Sequence, residues 1–287
     1  MKEITVISGK GGTGKTTITA SLAYLLENKV IADCDVDAAN LNLLIKSTPV
    51  SQHEFKSGNN YRIDLEKCVQ CGKCKEVCRF DAVEIDEDGQ YNINHIKCEG
   101  CGFCYFTCEL KAIDFTINST GMLYQSETPL GSFVYAELNV AEENSGKLVT
   151  EVRKQAEKVA QENKAEYLLV DGPPGIACPV NAALTGTNLA VIVTEPTLSG
   201  IHDLERIIRV AEQFKITSYC IINKYDIDVN NAEKIQEVCA KFNIPVIAEI
   251  PFSTEIYKSV EKQQIFTESY PDHPISDIFK NILEKIR

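Results

Sequence analysis

At 287 residues the chain has room for one large α/β domain, or for one domain carrying a small insert. Apolar residues make up 44%, enough for a packed core, whereas a net charge of −12 argues against a nucleic-acid platform, which needs a basic face. No run of about 18 apolar residues occurs, so stable membrane insertion is not expected. The N-terminus runs straight into a strand and predicts no secretory signal. Twelve cysteines in such a chain point to metal or redox use in the cytoplasm rather than to disulfides.

Residues 4–7 read as a short buried strand that ends at Gly9-Lys10-Gly11-Gly12-Thr13-Gly14-Lys15-Thr16-Thr17. Helical periodicity then runs through Ile18, Leu22, Leu25 and Leu26. Strand, Gly-x4-Gly-Lys-Thr and helix in that order make a P-loop, whose glycines let backbone N–H groups converge on phosphates at a helix N-terminus. Lys15 is placed to reach the β- and γ-phosphates of a nucleotide, and Thr16 to offer its hydroxyl to Mg²⁺. Residues 30–32 form a second buried strand, ending at Asp33-Cys34-Asp35-Val36-Asp37.

Between about residues 56 and 119 the pattern breaks and the cysteines gather. Cys68-x2-Cys71-x2-Cys74-x3-Cys78 recurs 30 residues later as Cys98-x2-Cys101-x2-Cys104-x3-Cys108, and Ala82 and Val83 recur as Ala112 and Ile113. This predicts a domain at 57–118, built by duplication and inserted between residues 1–56 and 119–287. The spacing is that of bacterial two-cluster ferredoxins, in which three cysteines of one run and the fourth of the other share a cubane. Cys68, Cys71, Cys74 and Cys108 then hold one [4Fe–4S] cluster, and Cys98, Cys101, Cys104 and Cys78 the second. Zinc is the competing thiolate metal, but a duplicated x2-x2-x3 run is more specific than paired Cys-x2-Cys. Arg79 and Glu109 stand where ferredoxins usually carry proline.

Residues 122–140 predict two strands around Pro129-Leu130-Gly131, and Ser145 is a plausible cap for the helix that follows. Strands at 167–170, 189–193, 219–222 and 245–250 alternate with helices at 146–161, 201–214 and 231–242. That alternation implies a doubly wound, mostly parallel α/β sheet covered on both faces, here with a small α+β ferredoxin-like insert. Cys34, Cys220 and Cys239 read as core residues. The four histidines show no ligand spacing. The apolar stripe Ile275, Ile278, Phe279, Ile282, Leu283, Ile286 predicts a terminal helix packed on the core rather than on a membrane.

With Lys10 ahead of the standard lysine, the loop resembles that of the MinD/ParA/Mrp/nitrogenase iron-protein group of P-loop ATPases. The resemblance implies a homodimer with ATP at the interface, in which Lys10 contacts phosphates bound by the partner subunit. It implies that Asp35 orients the attacking water, with Asp37 a weaker candidate for water on Mg²⁺. Asp171-Gly172-Pro173-Pro174-Gly175 resembles the group's second switch, Asp171 holding Mg²⁺ through water and Gly175 sensing the γ-phosphate. Asn223 would contact adenine, and Pro251 would line the base pocket. Asn223-Lys224-Tyr225-Asp226 also matches the guanine-reading motif, with Asp226 on the ring donors; ATP is favoured because the Lys10 loop belongs to the ATPase branch. Cys178 stands at the offset of the bridging-cluster ligand of the nitrogenase iron protein. No second cysteine lies between Glu109 and Asp171, so a bridging cluster is not expected, and a relay or transient-ligand role for Cys178 stays open beside a purely structural one. The implied function is ATP-driven dimer closure coupled to electron transfer through two [4Fe–4S] clusters toward an unidentified redox partner. A cluster scaffold or carrier serving apo-proteins, and a MinD/ParA-like positioning ATPase, are the alternatives.

Overall fold

The computed structural model describes residues 1–139 and 145–287; the cap assigned to the Ser145 side chain lies outside what is described. In chain order the first elements are β1 (Lys2–Ser8), α1 (Lys15–Leu25), β2 (Lys29–Asp33), α2 (Leu41–Ile45) and β3 (Thr48–Ile63). Then come α3 (Lys73–Glu76), β4 (Val83–Ile85), β5 (Tyr91–Ile93), α4 (Phe103–Thr107), β6 (Ile113–Thr128) and β7 (Gly131–Leu138). Alternation resumes with α5 (Ser145–Glu162), β8 (Tyr167–Pro174), α6 (Cys178–Leu184), β9 (Leu189–Thr194), α7 (Leu198–Gln213) and β10 (Thr217–Asn223). The chain closes with α8 (Val229–Lys241), β11 (Val246–Ile250), α9 (Thr254–Glu261), α10 (Phe266–Ser269) and α11 (Pro274–Ile286).

The large sheet runs β11-β10-β9-β1-β8-β2-β7-β6-β3, and its strands from β11 to β7 pair in parallel. Successive side chains of a strand point to opposite faces, and β9 shows why this sheet needs two covers. Leu189, Val191 and Val193 pack with α1 and α11, whereas Ala190 and Ile192 pack with Val180 of α6, Leu204 and Ile207 of α7 and Ile235 of α8. Ile275, Phe279, Ile282 and Ile286 of α11 are buried in the first of these layers, so the terminal stripe is core, as expected. Cys34, Cys220 and Cys239 are buried too. Among the described residues no helix is long and apolar enough to cross a membrane.

The chain divides into two compact units, Met1–His53 with Met122–Arg287, and Glu54–Gly121, so that the division falls within β3 and β6. Each of those strands is 16 residues long, which corrects the sequence reading: β3 was not foreseen, and β6 begins at Ile113 rather than near 122. Most of β3 is exposed or half-buried polar chain, Ser51-Gln52-His53-Glu54 among it, and carries no apolar alternation to announce a strand.

One buried ion pair ties α5 to β1. Arg153 Nε donates to Glu3 Oε1 at 3.0 Å, while its Nη1 donates to the Ala182 carbonyl at 2.9 Å and to that of Thr185. Both side chains are almost wholly buried. Removing only the cation strands the carboxylate, so Arg153→Met is expected to lower unfolding free energy by ~3–5 kcal/mol, measured by urea titration. A loss below 1 kcal/mol would show that Glu3 finds water or another donor.

Candidate functional site

The P-loop leaves β1 at Ser8 and enters α1 at Lys15. Gly12 and Gly14 take φ of 81° and 87°, in the left-handed region that glycine occupies without strain. A Cβ on Gly14 would also stand 2.3 Å from Asn223 Nδ2, so this position is closed to any side chain. The first turn of α1 has no acidic residue and no side-chain cap, which leaves its N–H groups and the positive end of the helix dipole to an anion. Thr13 Oγ1 is buried without a hydrogen-bond partner in the described structure, an orphan expected where a ligand supplies the missing atom. The loop opens on a cavity of about 820 Å³ whose wall includes Thr16, Thr17, Asp35, Asp37 and Pro173.

Asp171, within β8 and three residues before its end, is fully buried and gathers the P-loop side chains around it. Its Oδ1 accepts from Lys15 Nζ at 2.8 Å, its Oδ2 accepts from the Thr16 hydroxyl at 2.7 Å, and the Thr19 hydroxyl lies 2.9 Å from Oδ1. Asp35 Oδ2 stands 3.7 Å from the same ammonium. Burial works against the charge on Lys15, but Asp171, Asp35 and Asp33 outweigh it and hold the ammonium above its ordinary pKa. Burial likewise pushes the Asp35 carboxyl up to about 6, against the pull of Lys15. Lys15, Thr16, Asp35 and Asp171 thus meet at one place.

Asp33 and Thr19 were not assigned roles from sequence. Asp33, fully buried at the end of β2, accepts from the Asp35 N–H at 3.0 Å and the Leu41 N–H at 3.1 Å, pinning both ends of a segment whose Asp35, Asp37, Ala38 and Asn40 line the cavity. Burial, with Asp171 nearby, pushes its carboxyl up to about 8. The signal available in the sequence was an acidic residue closing an apolar strand two positions before Asp35.

Lys10 and Asn223 have partners the sequence did not suggest. Lys10 Nζ lies 2.7 Å from Glu195 Oε1 and donates to Thr197 Oγ1 at 3.1 Å and Ser199 Oγ at 3.0 Å, at the start of α7. Lys224 grips the other oxygen of Glu195 at 3.2 Å and donates to the Gly12 carbonyl at 3.3 Å. Asn223 Nδ2 donates to the Thr13 carbonyl at 2.8 Å, binding the end of β10 to the P-loop. Pro251 lines a second, mostly apolar cavity of about 240 Å³ that includes Gly14, Thr17 and Asn223. Gly175, with φ of 91°, donates its N–H to the Ser8 carbonyl at 2.9 Å. Cys178 is exposed at the first position of α6.

Within Glu54–Gly121 the repeat seen in the sequence is repeated in the geometry. The Asp64 N–H donates to the Ala112 carbonyl at 2.8 Å and the Asn94 N–H to that of Ala82 at 2.7 Å, equivalent bonds 30 residues apart. Gly72 and Gly102, both with φ of 79°, begin α3 and α4. A Cβ on Gly72 would meet the Tyr91 hydroxyl, and one on Gly102 that of Tyr61, so each half covers the other's helix start. The eight cysteines fall into two sets. Cys68, Cys71, Cys74 and Cys108 line a hollow of about 220 Å³; Cys78, Cys98, Cys101 and Cys104 line a narrower one of about 20 Å³. Ala82 N–H points at Cys78 Sγ at 3.4 Å and Ala112 N–H at Cys108 Sγ at 3.3 Å. Among the described residues no three His, Cys, Asp or Glu side chains converge closely enough to hold a single metal ion.

This frame and loop define a P-loop ATPase with a mostly parallel α/β sheet. The family model for the CobQ/CobB/MinD/ParA nucleotide binding domain matches residues 4–266, and the chain belongs to that family. An uncharacterized protein of Methanocaldococcus jannaschii is 33% identical over 99% of this chain and 96% of its own length. The septum site-determining protein MinD of Synechocystis is 24% identical over 90% of this chain and 79% of its own. Among solved structures, the cell division ATPase MinD of Pyrococcus furiosus superposes with a TM-score of 0.59 at 18% identity, covering 99% of this chain and 98% of its own, a likeness of fold. MinD of Pyrococcus horikoshii, solved with Mg-ADP, gives a TM-score of 0.58 at 19% identity, covering 99% of this chain and 95% of its own.

Proposed function

We propose that this ATPase binds ATP with Mg²⁺ as a homodimer and couples closure of that dimer to two [4Fe–4S] clusters held by residues 57–118, a ferredoxin-like insert. The observation that carries the iron–sulfur part is the sorting of the eight cysteines into Cys68/Cys71/Cys74/Cys108 and Cys78/Cys98/Cys101/Cys104, each around its own hollow. Adjacent runs exchange their fourth members in that sorting, which is the arrangement of two-cluster ferredoxins. When bound, the clusters supply one-electron transfer. The chain's own part is to aim N–H groups at Cys78 and Cys108, which favours the thiolate, and to keep the apolar side chains of Ile63, Val83, Ile93 and Ile113 around both sets.

At the nucleotide, Gly9 to Thr17 would wrap the phosphates, Lys15 would leave Asp171 for the β- and γ-oxygens, and Thr16 with Asp171 would hold Mg²⁺. That exchange removes the ion pair on which Asp171 now closes, and frees Asp35 to orient water. Lys10 would cross to the partner's phosphate, and the loops that carry Asp35 and Asp171 would report the γ-phosphate by moving. A redox titration of reconstituted protein with and without Mg·ATP tests the coupling. A shift in either potential, or nucleotide-dependent electron delivery to an acceptor, is expected; identical curves and identical delivery would end the electron-transfer reading.

The named relatives are septum-site proteins, and that favours a second reading, a MinD/ParA-like positioning ATPase. ATP-dependent sedimentation with vesicles or DNA would support it. Passage of iron and sulfide to an apo-protein would instead support a Mrp-type carrier.

A further inference from the structure

The motif Asn223-Lys224-Tyr225-Asp226 is the one feature of the nucleotide site that points to two different bases, and the structure supplies a way to choose. After β10, Lys224 takes a left-handed φ of 54° and the chain turns through Tyr225–Ile227. This turn brings the Asp226 carboxylate to the backbone beyond β11, where its Oδ1 accepts from the Phe252 N–H at 2.7 Å. The 240 Å³ cavity beside the P-loop is lined by Ile18, Asn223, Pro251, Phe252, Tyr257 and Phe279 among others; among the described residues no carboxylate lines it. Asn223 has its amide committed to Thr13, and its carbonyl oxygen accepts the Lys224 N–H at 3.1 Å.

Resting on the reading of this cavity as the seat of the nucleotide base, we propose that Asp226 is a specificity-determining, positioning residue that selects adenine by being withdrawn from the base. Guanine presents two neighbouring N–H donors on its ring edge and needs a carboxylate to receive both. Here the one carboxylate of the motif is turned to the Phe252 N–H through Oδ1 and is not among the residues lining the cavity. It acts as a tie that fixes the Pro251–Phe252 corner and, with it, the apolar wall against which a purine lies flat. Guanine entering this seat would leave its donors unpaired, whereas adenine lacks the ring N–H and the 2-amino group. Two unmatched donors are worth about 10- to 100-fold in affinity.

The test measures Mg·AMPPNP and Mg·GMPPNP binding to the full-length protein, the D226A variant and the D226N variant. The parent is expected to prefer the adenine analogue by at least about 10-fold. D226A is expected to lose several-fold in adenine-analogue affinity and to narrow the preference, because the Phe252 corner is released. D226N still offers an amide oxygen to the Phe252 N–H and is expected to restore both the affinity and the preference. A parent that prefers the guanine analogue, or a D226N variant that loses guanine binding selectively, would overturn the proposal, since both are the marks of a carboxylate reading the ring. Failure to bind either analogue would instead strike the nucleotide reading itself.

Discussion

Lys10→Ala is expected to bind Mg·ATP with little change in affinity, yet to hydrolyse it about 10³-fold more slowly than the parent or worse, as when a cation supplied across an interface is removed from a phosphoryl-transfer site. In the structure Lys10 is not free to do this work. It is held by Glu195, Thr197 and Ser199 on its own chain. Burial raises the Glu195 carboxyl, but bonds from Lys10 and Lys224 outweigh it and keep it below its ordinary value. Because Lys224 stays on Glu195 when Lys10 departs, release costs one partly exposed ion pair and does not orphan a carboxylate. Steady-state turnover and equilibrium binding, measured on the same preparation, check the prediction. A K10A variant that turns over like the parent would show that the lysine remains on Glu195 throughout.

The second large effect concerns the cysteines, and depends on pairs rather than on single replacements. Reconstituted parent should carry about eight iron and eight sulfide per chain, four of each per cubane. Replacing Cys78 and Cys98 together by serine removes two ligands from the same hollow, so about four iron should remain. Replacing Cys68 and Cys78 together takes one ligand from each hollow, and both clusters should be lost or damaged although the two cysteines belong to one sequence run. Iron analysis with electron paramagnetic resonance distinguishes the cases. Stoichiometric zinc, or a C68S/C78S protein that keeps one intact cluster while C78S/C98S loses both, would reverse the assignment of ligands.

What was legible in the sequence was whatever is carried by neighbours along the chain. A phosphate loop is one strand end, one turn and one helix start, so Gly9 to Thr17 announce it without help from elsewhere. Short continuous apolar runs alternating with helical patterning announced the parallel strands, because those strands are buried on both faces and interleave with amphipathic helices. The cysteine runs were legible for the same reason, since each run is a spacing along neighbouring residues; that Cys78 and Cys108 line each other's hollow was not local. β3 was missed because most of it, Ser51-Gln52-His53-Glu54 among it, is exposed or half-buried polar chain that leaves no periodic trace.

Tertiary structure alone decided the pairings made across the fold. Glu195 with Lys10, Lys224 with Gly12, Asn223 with Thr13 and Asp226 with Phe252 join residues from different strands' ends, and no local pattern can signal them. Parallel strands deliver all their C-terminal ends to one edge of the sheet, so residues up to some two hundred positions apart are set side by side there. The amino-acid sequence therefore determines that a nucleotide loop and two sets of four thiols exist. Which carboxylate is occupied, and which lysine is held in reserve, follows from that convergence of strand ends.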